Sequence, residues 1–130
     1  MLDLMTGLPA YATMMNTLDA GAIEALLADD FHYSSQWVFD EITSRQAYLD
    51  YTHPKLKAVR KSGTKLWAEM AYLEREIPGP CVVMAQESKD ALLSLILGEV
   101  ANGKLKRLNM CCVPSPWSAK RSGEYPGLPA

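Results

Sequence analysis

Apolar positions in the first third of the chain follow a helical period. Behind Pro9, which suits a first turn, Tyr11, Met14, Met15 and Leu18 recur at the spacing of one buried stripe, predicting a helix that Gly21 breaks. A short second helix is predicted over 22–28, burying Ile23, Leu26 and Leu27 and stopping at the Asp29-Asp30 turn. The period then changes to two. In "FHYSSQWVF", Phe31, Tyr33 and Ser35 fall on one side and His32, Ser34 and Gln36 on the other, the pattern of a half-buried strand. Ser44 can cap a third helix with Tyr48, Tyr51 or Thr52, Leu56 and Val59 inward; Pro54 predicts a kink or restart near His53, and Gly63 ends it.

From Lys65 onward the pattern is that of strands: "KLWAEMAYLE", "CVVMAQ", "ALLSLILGEV" and "KLKRLNMCCV", separated by Pro/Gly, charged and Asn-Gly turns. Asn102-Gly103 is the strongest local signal, because a two-residue turn with positive φ at both positions matches hairpin twist and sets the register. Counting outward from Ala101 opposite Lys104 pairs Leu97 with Leu108, Leu95 with Met110 and Leu93 with Cys112 on one wholly apolar face. The other face pairs Ile96 with Asn109 and Ser94 with Cys111, and is too apolar to be left in water. A second copy of the chain on that outer sheet face is the expected cover, making a homodimer. The expected division is one domain over 1–113 and a Pro/Gly-rich tail over 114–130.

Composition narrows the function classes. A 130-residue chain with 48% hydrophobic residues can bury a core without disulfides. A formal net charge of −2 argues against a nucleic-acid footprint; the basic run Lys55, Lys57, Arg60, Lys61 and Lys65 is read as a solvated helix face, with phosphate binding as the alternative. Three cysteines give no paired framework and predict a reducing, cytoplasmic setting. Two histidines, His32 and His53, without Cys or His at ligand spacing supply no metal site, and no cofactor is expected. No run reaches ~18 apolar residues and no basic flank precedes an apolar stretch, so neither membrane insertion nor secretion is indicated.

The element order, together with "LDAGAIEALLADDFHYSS", "TSRQAYLDY" and "NGKLKRLNM", resembles the nuclear transport factor 2-like superfamily, which includes ketosteroid isomerases and SnoaL-like polyketide cyclases; the resemblance covers roughly residues 10–113. It implies an α+β cone: a strongly curved, mostly antiparallel sheet of about five or six strands wrapped over three N-terminal helices, with a pocket between them. It also locates the isomerase machinery, and none of that machinery is present. The general-base position is Ser35, the oxyanion positions are Met14 and Leu95, and two further tyrosine positions are Leu27 and Thr52. A neutral carboxylic acid in apolar surroundings is how that oxyanion site works, and leucine cannot replace it.

The resulting expectation is a pocket that binds a small apolar molecule without catalytic residues. Its polar and aromatic wall is expected from Met14, Tyr33, Ser35, Trp37 and Tyr48, with Tyr33 or Ser35 as anchor. Its strand wall is expected from Leu93, Leu95, Leu108, Met110 and Cys112. Two alternatives stay open: an isomerase-, cyclase- or dehydratase-type enzyme using Asp40 or Glu41 with His53 or Tyr33, and a dimeric interaction module with a collapsed pocket. Glu69, mid-strand, is expected on an exposed face or in a dimer salt bridge, and Trp37 and Trp117 either fill the core, the favoured reading, or close the pocket opening.

Overall fold

A computed structural model of the chain describes residues 2–36, 40–74 and 78–129. Helix α1 (Leu4–Thr17) starts earlier than Pro9 and carries that proline inside it. It closes on Leu18, held in the left-handed region at φ 58°, rather than on Gly21. The expected short helix is present as two one-turn 3-10 segments, Ala20–Ala22 and Glu24–Leu26, the first capped by Asp19 accepting from the Gly21 N–H. Ile23 and Leu27 are buried as expected, but β1 (Leu27–Ser35) begins before Asp29-Asp30, which lie inside the strand. Helix α2 (Arg45–Ser62) is capped by Ser44 Oγ, which accepts from the Ala47 N–H at 3.0 Å, and ends on Gly63 at φ 75°. It runs past Pro54 without the expected restart: Asp50, whose carbonyl loses its donor, is exposed and can bond water.

Strands β2 (Leu66–Leu73), β3 (Gly79–Gln86), β4 (Leu92–Ala101), β5 (Lys104–Cys111) and β6 (Lys120–Arg121) join β1 in a curved, unclosed six-stranded sheet of order β1-β5-β4-β3-β2-β6. Among the described residues, only β1 with β5 is a parallel pair. The concave face holds the main core, where Leu8, Met14, Phe31, Ile96, Leu105 and Leu108 are fully buried. Gly98 lets α1 lie close: a Cβ there would sit 3.2 Å from both Leu8 and Leu108.

The Asn102-Gly103 turn forms as expected, with φ of 53° and 75° and Ala101 opposite Lys104. The register beyond it differs from simple counting. Val100 pairs with Leu105 but Glu99 pairs with Arg107, so Lys106 is an extra residue on β5, a β-bulge. Leu95 therefore faces Cys111 and Ile96 faces Met110. This one-residue slip exchanges the faces of β4. Ile96 and Ser94, expected outside, are buried on the concave side, while Leu95 lies in the outer layer.

That outer layer is Leu73, Cys81, Val83, Leu95 and Cys111, and the chain covers it with its own Ala119. The tail is held along the free edge of β2. Ala71 pairs with Arg121 and Tyr72 with Lys120, while Asn16 of α1 bonds both backbone groups of Ala68 and the carbonyl of Pro126. Glu69 is neither exposed nor available to a second copy: it is buried, accepting from Arg121 Nε and the Gly123 N–H at 2.7 Å each. The tail thus shields an edge that would otherwise offer an unpaired ladder.

Candidate functional site

Between the two helices and the open end of the sheet lies a pocket of about 470 Å³. Helical periodicity places its helix wall: Tyr11 and Met15 are one turn apart on α1, and Lys55 and Val59 one turn apart on α2. The strands contribute Leu66 from β2, Met84 and Ala85 from β3, and Ser94 and Met110 from β4 and β5, with Leu93 at a bulge opposite β3. Thr64 and Gln86 add polar groups. No carboxylate is among its described lining residues.

The expected site residues disperse around this pocket. Leu93 and Met110 line it. Met14, Tyr33 and Tyr48 lie beside it, packed about a void of only about 20 Å³ with Tyr11 and Tyr51. There the Phe31 ring stands edge-on to Tyr48 at 4.9 Å and Tyr33 lies 5.3 Å from Tyr48. Burial pushes the Tyr11, Tyr33 and Tyr48 phenols up, so all three stay neutral donors over the physiological range. Leu108 is core. Leu95, expected to line the pocket, is a correction: the Lys106 bulge turns it to the outer layer. Ser35 is half-buried at the end of β1, its hydroxyl 3.6 Å from Met110 Sδ, and Cys112 is half-buried just past β5, where its N–H donates to Gln36. Trp37 lies outside the described residues. Trp117 packs on the outer side near Arg121, not at the pocket mouth.

The groups of the enzyme alternative do not converge. Glu41 is engaged by Arg107, and its second oxygen lies 3.4 Å from His32 Nδ1 on the outward side of β1, where His32 was expected. The Arg107 guanidinium holds the Glu41 carboxyl below its usual value, the opposite of a desolvated base. His53 pairs with Glu24 at 2.8 Å on the exposed side of α2, and Asp40 is exposed.

Of the pocket residues, pattern-reading found only Leu93 and Met110; those it missed include Tyr11, Met15, Lys55, Val59, Met84 and Ser94. A signal existed for some of them. Thr52, Lys55 and Val59 share one face of α2, so an inward Thr52 carries Lys55 toward the pocket instead of onto a solvated face.

Two short helical turns, two long helices and a curved sheet that encloses a pocket define the α+β cone class. The fold is nuclear transport factor 2-like, of the cystatin-like type. A nuclear transport factor 2-like protein of unknown function from Cytophaga hutchinsonii superposes with a TM-score of 0.58 at 11% identity, over 88% of this chain and 95% of that one. A protein from Kribbella flavida provisionally assigned as a ketosteroid isomerase gives 0.52 at 17% identity, over 97% and 84%. A domain of unknown function with a cystatin-like fold from Nostoc punctiforme gives 0.54 at 14% identity, over 79% and 72%. No protein-family model and no curated protein matches the sequence. At these identities the likeness is one of fold. Among the described residues, no helix is long and apolar enough to cross a membrane.

Proposed function

We propose that this chain is a small-molecule-binding domain that holds a mainly apolar ligand in the pocket between α1, α2 and the sheet, without carboxylate acid-base chemistry. The observation that carries this reading is a pocket of about 470 Å³, within the size range of ligand sites, whose wall is chiefly aliphatic and thioether side chains. Methionines at positions 15, 84 and 110 make that wall adaptable. Burying ~200 Å² of apolar ligand surface is worth on the order of 5 kcal/mol before association costs, a Kd of roughly 0.2 mM at best from that surface alone, and micromolar affinity is the most expected without a strong polar anchor. The three thiols are free, in keeping with a cytoplasmic setting.

The test is a thermal-shift screen of small apolar compounds against the wild type and two variants, Val59→Trp and Leu93→Trp. Both substitutions narrow the pocket from partly exposed positions. Compounds should raise the wild-type melting temperature and lose that effect in the variants, whose own melting stays close to wild type. Equal shifts in all three proteins, or none in the wild type, would refute the reading.

A homodimer through the outer sheet face is a second part of the proposal. It is favoured by Val113 and Trp117, which are 74% and 60% exposed, and by Leu97, half-buried against the outer layer. Ile96 and Ser94 cannot serve it, since both face inward. Sedimentation should report a dimer for the wild type and a monomer for Trp117→Glu; a monomeric wild type at high concentration would rule the dimer out.

A further inference from the structure

One cation breaks the neutrality of the pocket wall. Lys55 reaches it from α2, with Nζ donating to Tyr51 Oη at 3.3 Å and lying 5.3 Å from the centre of the Tyr51 ring. Among the described residues, Lys55 has no carboxylate within 4.0 Å, whereas Lys106 has one and Arg107 and Arg121 have two each. Glu24 is engaged by His53 and Glu41 by Arg107, and Glu87, next to Gln86 in sequence, is exposed and forms no ion pair with Lys55. The aromatic and hydroxyl contacts from Tyr51 are neutral and leave the ammonium charge uncompensated. Around it stand uncharged hydrogen-bonding groups, Thr64, Gln86 and Ser94, and then the methionine wall.

The ammonium of a half-buried lysine that borders an apolar cavity discriminates between ligands by charge. A neutral apolar ligand strips water from the ammonium and returns no acceptor, which costs free energy. An anion of the same shape supplies a charge-assisted hydrogen bond, strengthened by the low dielectric of the wall. A cation is repelled. A single lysine, with only neutral donors nearby, compensates one negative charge and not two.

Resting on the ligand-binding reading above, we infer that the natural ligand is an amphiphilic monoanion, an apolar chain or ring carrying one carboxylate, with Lys55 Nζ as its counter-charge. The apolar body lies against Met15, Leu66, Met84 and Met110. Lys55 is the specificity-determining residue, and the methionine wall supplies the affinity.

Octanoate, 1-octanol and octylammonium share one apolar chain and differ in head-group charge. Their binding near neutral pH is followed by amide chemical shifts of the labelled protein, for the wild type and for Lys55→Met and Lys55→Arg. The wild type should bind octanoate about tenfold more tightly than octanol, and octylammonium most weakly. Lys55→Met should bring octanoate and octanol to parity, and Lys55→Arg should keep most of the preference. If octanol matches octanoate in the wild type, or the preference survives Lys55→Met, the anion inference fails while the binding pocket stands. If none of the three shifts the pocket amides up to its solubility limit, both readings fail.

Discussion

Replacing Arg121 with methionine tests the buried ion pair that fastens the tail to the sheet. Glu69 is 3% exposed, and its carboxylate has two strong donors, Arg121 Nε and the Gly123 N–H, each at 2.7 Å. Arg121 also reaches Asp90 and the Lys89 carbonyl, both at 2.9 Å, and its guanidinium lies 5.7 Å from the Trp117 ring. Breaking a buried pair by removing one partner costs about 3–5 kcal/mol, because the other charge is stranded. Gly123 still holds one oxygen, so the lower end applies, about 3 kcal/mol. A chain of 130 residues has an unfolding entropy near 0.27 kcal/mol/K at its midpoint, which converts that loss to a fall of roughly 11 °C in melting temperature. In Glu69→Leu/Arg121→Met no charge is stranded, and the double variant should lose only about 1 kcal/mol, less than the single. Urea unfolding followed by tryptophan fluorescence measures all three variants, including Glu69→Leu alone. A cost below about 1 kcal/mol for Arg121→Met, or a double variant as unstable as the two singles summed, would refute the stranded-charge argument.

Asn16→Ala removes three hydrogen bonds that tie α1 to the edge of β2 and to the tail, and should cost about 2–3 kcal/mol and speed hydrogen exchange at the Ala68 amide; unchanged exchange there would contradict it. The Cys81 thiol is pushed up to about 11 by burial, so at pH 8 it is protonated as well as shielded. Thiol titration of the folded protein should modify Cys112 first and Cys81 only on unfolding, and early labelling of Cys81 would be the contrary result. Deleting Lys106 removes the bulge but leaves Val100 opposite Leu105, Glu99 opposite Arg107 and Gly98 opposite Leu108, so Leu108 and Met110 stay inward; the variant should stay folded with a loss of about 2 kcal/mol or less, and failure to fold would show that the sheet needs the extra residue for its bend.

Much of the fold was legible because its signals are local. Ser44, Gly63 and Asn102-Gly103 act through their own backbone geometry, and the change of period from helix to strand near Phe31 needs no knowledge of the partner element. What was not legible depends on distant contacts. The segment 22–28 has a helical apolar pattern, yet Leu27 is drawn into the sheet by pairing with Leu105, far along the chain. Glu69 and Arg121 are 52 positions apart, and nothing in "LWAEM" announces that a tail arginine will neutralise the acid. The cover for the outer apolar face was expected from a second copy. The chain supplies some of it from its own residues near Ala119, leaving Val113 and Trp117 outward.

The candidate site failed to be legible for a sharper reason. Counting along β4 and β5 is an argument about parity, and one unannounced bulge reverses parity for every residue beyond it. Lys106 is where that happens: its side chain pairs outward with Asp30 of β1 while the backbone takes up one extra residue. The charged pattern "KLKR" contains no mark that one of its members will be unpaired. The consequence reaches the chemistry, because the same slip that removes Leu95 from the cavity brings in Ser94, a hydroxyl, and seats Ile96 as core. Helix faces carry no such hazard, since an angular period of 100° tolerates a small error where a period of two does not. The miss at Lys55 is of another kind: taking the basic run as one solvated face overrode the helical spacing from Thr52, which sets Lys55 at the pocket wall.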